Sequence, residues 1–171
     1  MFENVASFLG YFENVRRRTL KFCSAVPESR IDWAPKPGDF TCGDIVRHIA
    51  ASEQMFASVA LTGLWAYPGH ERMLGSTLRG ALAFLDAGHT SAVAALGTLS
   101  DGALVERRDM IGDHMIEIWH VLILMVEHEI YHRSQIGSYL NLMGVKPPQL
   151  YGLRLEEVIA YSEGQRARAR G

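Results

Sequence analysis

Seven histidines occur in this sequence, at positions 48, 70, 89, 114, 120, 128 and 132. His128 and His132 are four residues apart in a segment with helical periodicity. On a helix that spacing puts two imidazoles one turn apart on one face, with Cβ atoms ~5–6 Å apart. Both rings can then reach one ion at about 2.0–2.1 Å. An HxxxH pair alone is also what a solvated, histidine-rich helix produces. Here the pair follows Val121–Val126, the longest unbroken apolar run, and its stripe carries Val121, Leu124, Gln135 and Tyr139. That stripe faces a core, where unpaired polar groups are costly. A shared metal satisfies both rings.

A site of this kind needs a further ligand from another element. His48 is the best candidate, because it shares a stripe with Thr41, Ile45, Ser52, Met55 and Val59, all apolar or small. Three neutral imidazoles on a divalent ion leave an open position. Water held there has a pKa near 7, and a thiol held there becomes a thiolate.

Glu129 points about 60° from His132 at 3.6 residues per turn. It is expected either at the edge of the metal face, orienting water or an imidazole, or in solvent. Met55, Val121, Leu124, Gln135 and Tyr139 are candidates for the pocket wall, with Arg133 outside it. Asp44 reads as a cap, and Glu53, off the His48 stripe, is expected to face solvent. His120 lies roughly 80° round the helix from His128 and reads as a core or interface residue. His70, His89 and His114 receive no role. Cys42, at a helix N-terminus, is either a thiol of lowered pKa or a small buried residue.

The elements that carry these residues read as helices. The first spans about Glu3–Val26, with Phe8, Leu9, Phe12, Val15, Thr19 and Phe22 at helical steps. Arg16, Arg17 and Arg18 within it read as a solvated face. Pro27 ends it, and Pro35–Asp39 is a loop. Thr41 with Asp44 forms a capping-box pattern for a second helix, about Cys42–Leu61. Thr62–Gly75 is irregular. A third helix follows a Ser76 or Thr77 cap to about Leu99. Ser100–Asp113 is a loop in which a short hairpin fits. The fourth helix, about His114–Met143, is the longest and is ended by Gly144 and Pro147–Pro148. The last spans about Leu155–Ala167. The predicted fold is all-α, a four-helix bundle of long antiparallel helices plus a C-terminal helix, in one domain over residues 1–171.

Composition limits the partners. Of 171 residues, 48% are hydrophobic, and 17 Lys and Arg face 19 Asp and Glu. This is a folded chain with no broad cationic footprint, so nucleic acid is not an expected partner. The longest apolar run is six residues, against the roughly 20 of a membrane span. The N-terminus lacks the basic-then-apolar pattern of a signal peptide, and two cysteines make no disulfide framework, so the expected location is cytoplasmic. The apolar run is expected to be central, or covered on one side by a second chain in a homodimer.

His128–His132 also matches the HExxH zinc-protease motif, with the glutamate as general base. The metzincin continuation is absent, since Gln135 and Ser138 stand where Gly and His are needed. The segments HEIYHRSQIGSYLNLMGVKPPQLYG and PKPGDFTCGDIVRHIAASEQMF together resemble the signature of the DinB/YfiT-like family. That resemblance implies a four-helix bundle in which His48, His128 and His132 hold zinc or nickel. It also implies frequent dimers. It implies a small-molecule substrate and one of two activities: a thiol-dependent S-transferase or isomerase using a low-molecular-weight thiol, or a hydrolase using metal-bound water. A non-catalytic metal- or ligand-binding bundle is the alternative.

Overall fold

The computed structural model describes residues 2–111 and 114–169; positions 1, 112–113, 170 and 171, including the expected end of the loop at Asp113, lie outside the described residues. The described helices are α1 (Val5–Cys23), α2 (Cys42–Thr62), α3 (Leu78–Leu96), α4 (Ile118–Leu142) and α5 (Leu155–Arg168). The described strands β1 (Arg107–Met110) and β2 (His114–Glu117) pair antiparallel, Arg107 opposite Glu117 and Met110 opposite His114.

Local chemistry explains the boundaries. Asn4 accepts from the Ser7 amide while Ser7 returns a hydrogen bond, so α1 begins at Val5, two residues after the expected Glu3. Thr41 and Asp44 form the expected capping box on α2, and Gly63, at φ +79°, ends it in a left-handed conformation. Thr77 caps α3 through the Gly80 amide. The fourth helix starts at Ile118 rather than His114, because His114–Glu117 pairs as a strand and the Ile118 amide bonds to the Glu106 carbonyl at 2.8 Å.

Two apolar clusters stack along the bundle. One holds Phe8 and Phe12 of α1, Val59 of α2, Leu96 of α3 and Val121 of α4. The other holds Cys23 of α1, Ile45 and Ile49 of α2, Leu85 of α3, and Ile136 and Leu140 of α4. Their order along each helix gives the directions. α1 and α4 run from the first cluster to the second; α2 and α3 run the other way. α2 packs against both α3 and α4, and α1 against α4 and α3. The neighbours α2 and α3 are therefore parallel, which corrects the uniformly antiparallel expectation. Parallel neighbours require a crossover along the bundle. α2 is 21 residues long, roughly 31 Å at 1.5 Å per residue. The connection from Gly63 to Thr77 is long enough to return that distance in extended form.

Between the clusters lies one ionisable residue from each of the four bundle helices. Arg16 of α1 pairs with Glu53 of α2 and, at 2.9 Å, with Glu129 of α4; Glu53 also bonds to Nδ1 of His89 on α3 at 2.7 Å. Arg16, Glu53 and Glu129 are each 2% exposed. This corrects two sequence expectations, since Arg16 and Glu53 face the core and not solvent. Burial works against protonation of His89, but the hydrogen bond and charge of Glu53 outweigh it and raise its pKa. α5 buries none of its residues.

Removing one partner from a buried charged layer leaves an uncompensated charge, at about 3–5 kcal/mol. Glu53→Ala should therefore cost that much in urea unfolding. Asp32→Ala breaks an exposed pair with Arg72, and should cost less than about 1 kcal/mol.

Candidate metal centre

His128 and His132 project from α4 toward α2, and His48 projects back from α2. One nitrogen from each of the three rings lies within 4.8 Å of the other two. The Nε2 atoms of His48 and His128 are 3.1 Å apart. Two nitrogens held about 2.0–2.1 Å from one tetrahedral ion stand about 3.4 Å apart, so the spacing suits a common ion.

The other ring nitrogens are oriented. Nδ1 of His132 meets Oε1 of Gln135 at 2.9 Å, Gln135 Nε2 donates to the Tyr139 hydroxyl at 3.2 Å, and that hydroxyl donates to the Phe40 carbonyl at 3.1 Å. Because Oε1 only accepts, Nδ1 of His132 carries the proton and Nε2 keeps its lone pair. Nδ1 of His48 is 2.7 Å from the Tyr67 hydroxyl, which is 2.6 Å from Nδ1 of His70. With His48 donating to Tyr67 and Tyr67 donating to His70, Nε2 of His48 is also left with its lone pair. Such outer partners fix tautomer and ring direction at histidine metal sites.

Electrostatics favour neutral rings. Burial, and the mutual repulsion of His48, His132 and His128, push His48 down to about 4. Burial and His132 push His128 to about 4. Burial lowers His132, with the Gln135 bond opposing. Neutral imidazole is the form that binds a metal.

Tyr67 and His70 ride on the α2–α3 crossover. Arg47, 1% exposed, holds that segment: its guanidinium donates to the His70 carbonyl at 2.9 Å, the Gly75 carbonyl at 2.6 Å and Asp44 at 2.6 Å. Phe40 packs against both His48 and His70. The sequence selects none of these four: Phe40, Tyr67 and His70 lie in loops, which have no periodicity to betray their direction, and Arg47 on α2 is a charged residue whose burial depends on the crossover it holds. The local signal was the WAYPGH stretch, an aromatic and a histidine three residues apart in an irregular segment.

The remaining expected site residues are distributed differently. Gln135 and Tyr139 join the histidines through the hydrogen-bond chain above. Val121 is fully buried in the first apolar cluster, which corrects its place in a pocket wall; Met55 packs at the edge of that cluster, and Leu124, 37% exposed, is a surface residue. Glu129 is turned to Arg16, neither at the metal edge nor in solvent, and burial raises its pKa against the opposing charge of Arg16. A glutamate so placed cannot serve as the general base of an HExxH protease. Cys42 is fully buried, and burial pushes its thiol up to about 11, which corrects the option of a lowered pKa.

The comparisons with known proteins agree with this architecture. The model of the DinB family matches residues 1–166. A DinB-like protein of Bacillus cereus superposes with a TM-score of 0.73 at 19% identity, covering 87% of this chain and 99% of its own. The DinB-like protein YjoA of Bacillus subtilis gives 0.69 at 20% identity, covering 84% and 96%. YfiT of Bacillus subtilis, described as a probable metal-dependent hydrolase with an unusual four-helix bundle topology, gives 0.63 at 20% identity, covering 83% and 89%. Among curated proteins none matches this chain.

The depressed histidines set a pH window for the metal-free protein. From the ordinary value of 6.5 to about 4 for His48 and His128, the unfolded chain binds protons that the folded one refuses. Their contribution to stability is complete above pH 6.5 and is lost as pH falls through about 4. Thermal melts across this range should show wild type falling more steeply than His48→Ala.

Proposed function

The chain belongs to the DinB family, and on that premise we propose that it is a metal-dependent enzyme acting on a small molecule, with one divalent transition ion held by His48, His128 and His132. The carrying observation is the convergence of three imidazoles from two helices, two of them with Nδ1 at hydrogen-bond distance from Gln135 and Tyr67. An all-nitrogen, imidazole set of this kind suits zinc or nickel. Such an ion would bring water to a pKa near 7 or convert a thiol to thiolate.

Hydrolysis is the first reading. YfiT, of the same fold, is described as a probable hydrolase, and an uncharged ligand set leaves the ion its full positive charge. In this reading Gln135 and Tyr67 hold the rings, with the Tyr67 hydroxyl between Nδ1 of His48 and Nδ1 of His70. Thiol-dependent transfer or isomerisation is the second reading. It is favoured by the engagement of Glu129 with Arg16, because thiolate formation at an ion needs no carboxylate base. The exposed α4 residues Leu124, Tyr131 and Leu142 lie on one helical stripe and are the surface we assign to a homodimer.

Metal analysis of protein purified without an affinity tag should find about one zinc or nickel per chain. Chelation should lower its melting temperature, by mass action. His48→Ala should lose the metal and show no further response to chelator, while His120→Ala keeps both. Gln135→Ala and Tyr67→Phe should weaken metal affinity about 10–100-fold. Tight metal binding by His48→Ala would overturn the assignment. Turnover assays with ester and amide substrates, and with thiol–electrophile pairs, then separate the two reactions; activity in neither leaves a metal-binding bundle without turnover. Light scattering at micromolar concentration should give the mass of two chains, and Tyr131→Glu should give one.

A further inference from the structure

We propose a second ligand site, on the opposite side of α4 from the histidines, that binds a small organic anion with an apolar body. A cavity of about 400 Å³ lies there between α1, α4 and the segment after α4, with Phe22, Ile130, Arg133, Ser134, Asn141 and Leu150 in its wall. That volume is within the ~300–1,000 Å³ of small-molecule sites. Ser134 is about 200° round the helix from His132 at 100° per residue, so this is not the metal site seen from behind.

The feature that calls for a ligand is Arg133. Its side chain is 93% buried, being 7% exposed. Among the described residues it makes no hydrogen bond and no ion pair within 4.0 Å, and its Nη1 is sealed without a partner. The charge of Glu129 acts on it only from beyond 4.0 Å, and that carboxylate is paired with Arg16 at 2.9 Å. Burying a guanidinium that makes no hydrogen bond and no close ion pair is unfavourable. An anion in the adjoining cavity would place a negative charge against the guanidinium that lines it.

The surroundings fit the same ligand. A second hollow of about 500 Å³ shares Leu150 with the first and is lined by Arg17, Arg18 and Lys21, and neither wall contains an Asp or Glu. Arg18 stacks over Tyr151, its guanidinium carbon 5.5 Å from the ring centre, which leaves its N–H edge free. The hydroxyl of Ser134 and the side-chain amide of Asn141 offer further hydrogen bonds to an anionic head, while the Ser138 hydroxyl donates to the Ser134 carbonyl at 3.2 Å. Phe22, Ile130, Pro147 and Leu150 form an apolar side for a hydrocarbon or aromatic body. Gly137 forms the floor: a Cβ there would stand 3.1 Å from the Phe22 ring, so α1 and α4 approach closely beneath the cavity. A carboxylate, sulfonate or phosphate on an apolar body is the ligand class these groups select.

Titration with 1-naphthalenesulfonate, by fluorescence and calorimetry, tests this on the full chain. Wild type should bind one equivalent saturably, and inorganic phosphate about tenfold or more weakly. Ser138→Phe, at an exposed helical position, should fill the cavity and remove binding. Arg18→Glu should weaken it several-fold, and Arg133→Met should abolish it. Ser138→Phe and Arg18→Glu keep the test decisive if Arg133→Met fails to fold. His48→Ala should bind the probe as wild type does, whatever its metal content. No saturation at millimolar probe would overturn the proposal and leave Arg133 a distant counter-charge for Glu129. Binding that Ser138→Phe spares and His48→Ala removes would also overturn it, by placing the anion at the histidines. Phosphate binding as tightly as naphthalenesulfonate would overturn the apolar half of the assignment.

Discussion

One guanidinium shared by two carboxylates sets the arrangement of the bundle. Arg16 lies between Glu53 and Glu129, and Glu53 in turn holds His89. Each of the four helices supplies one member, in the gap between two apolar clusters. Apolar contacts tolerate sliding, because one leucine can replace another as a neighbour. Buried charges do not, since a one-turn slip of any helix strands a charge in the core at several kcal/mol. The layer therefore acts as a register mark for the whole bundle.

The metal centre inherits that register. Glu129 directly follows His128, and Glu53 is five residues beyond His48. Fixing Glu53 and Glu129 on one arginine fixes the heights of α2 and α4 relative to each other, and with them the convergence of the three rings. The Gln135–Tyr139–Phe40 chain then sets the direction of one ring, and the Tyr67–His70 pair another. Ligand position and ligand orientation thus come from different parts of the chain. Helix register supplies the first, and polar partners in loops and on the last turns of α4 supply the second.

Much of this was legible in the sequence because it is periodic. The inward stripes of α2 and α4 selected His48, His128 and His132, and the Thr41–Asp44 and Thr77 caps placed two helix starts. The family signature and the helical pattern pointed to one fold. What escaped had a common cause. Arg16 and Glu53, being charged, are assigned to water when read alone, and Glu129 to water or the metal edge; their burial depends on partners up to 113 positions away, from Arg16 to Glu129. Tyr67 and His70 sit in a crossover whose path follows from the parallel run of α2 and α3, a relation that hydrophobic periodicity does not encode. Val121 was placed on the correct stripe but at the wrong height, because a stripe defines a face and says nothing of depth along it.

The crossover separates two kinds of change open to this scaffold. It is fastened at one end by Arg47 to the His70 and Gly75 carbonyls, and near the other by Trp65 against the β1 strand. Between these anchors the chain contributes nothing to the buried charge layer. Substitutions and length changes there would reshape the mouth above the histidines while the helices that hold the ligands stay as they are. Loops carried by a rigid frame are where binding preference diversifies. In this bundle the strap also carries Tyr67, whose hydroxyl stands 2.7 Å from Nδ1 of His48, so a change of length there would alter the approach to the histidines and the direction of one ring together.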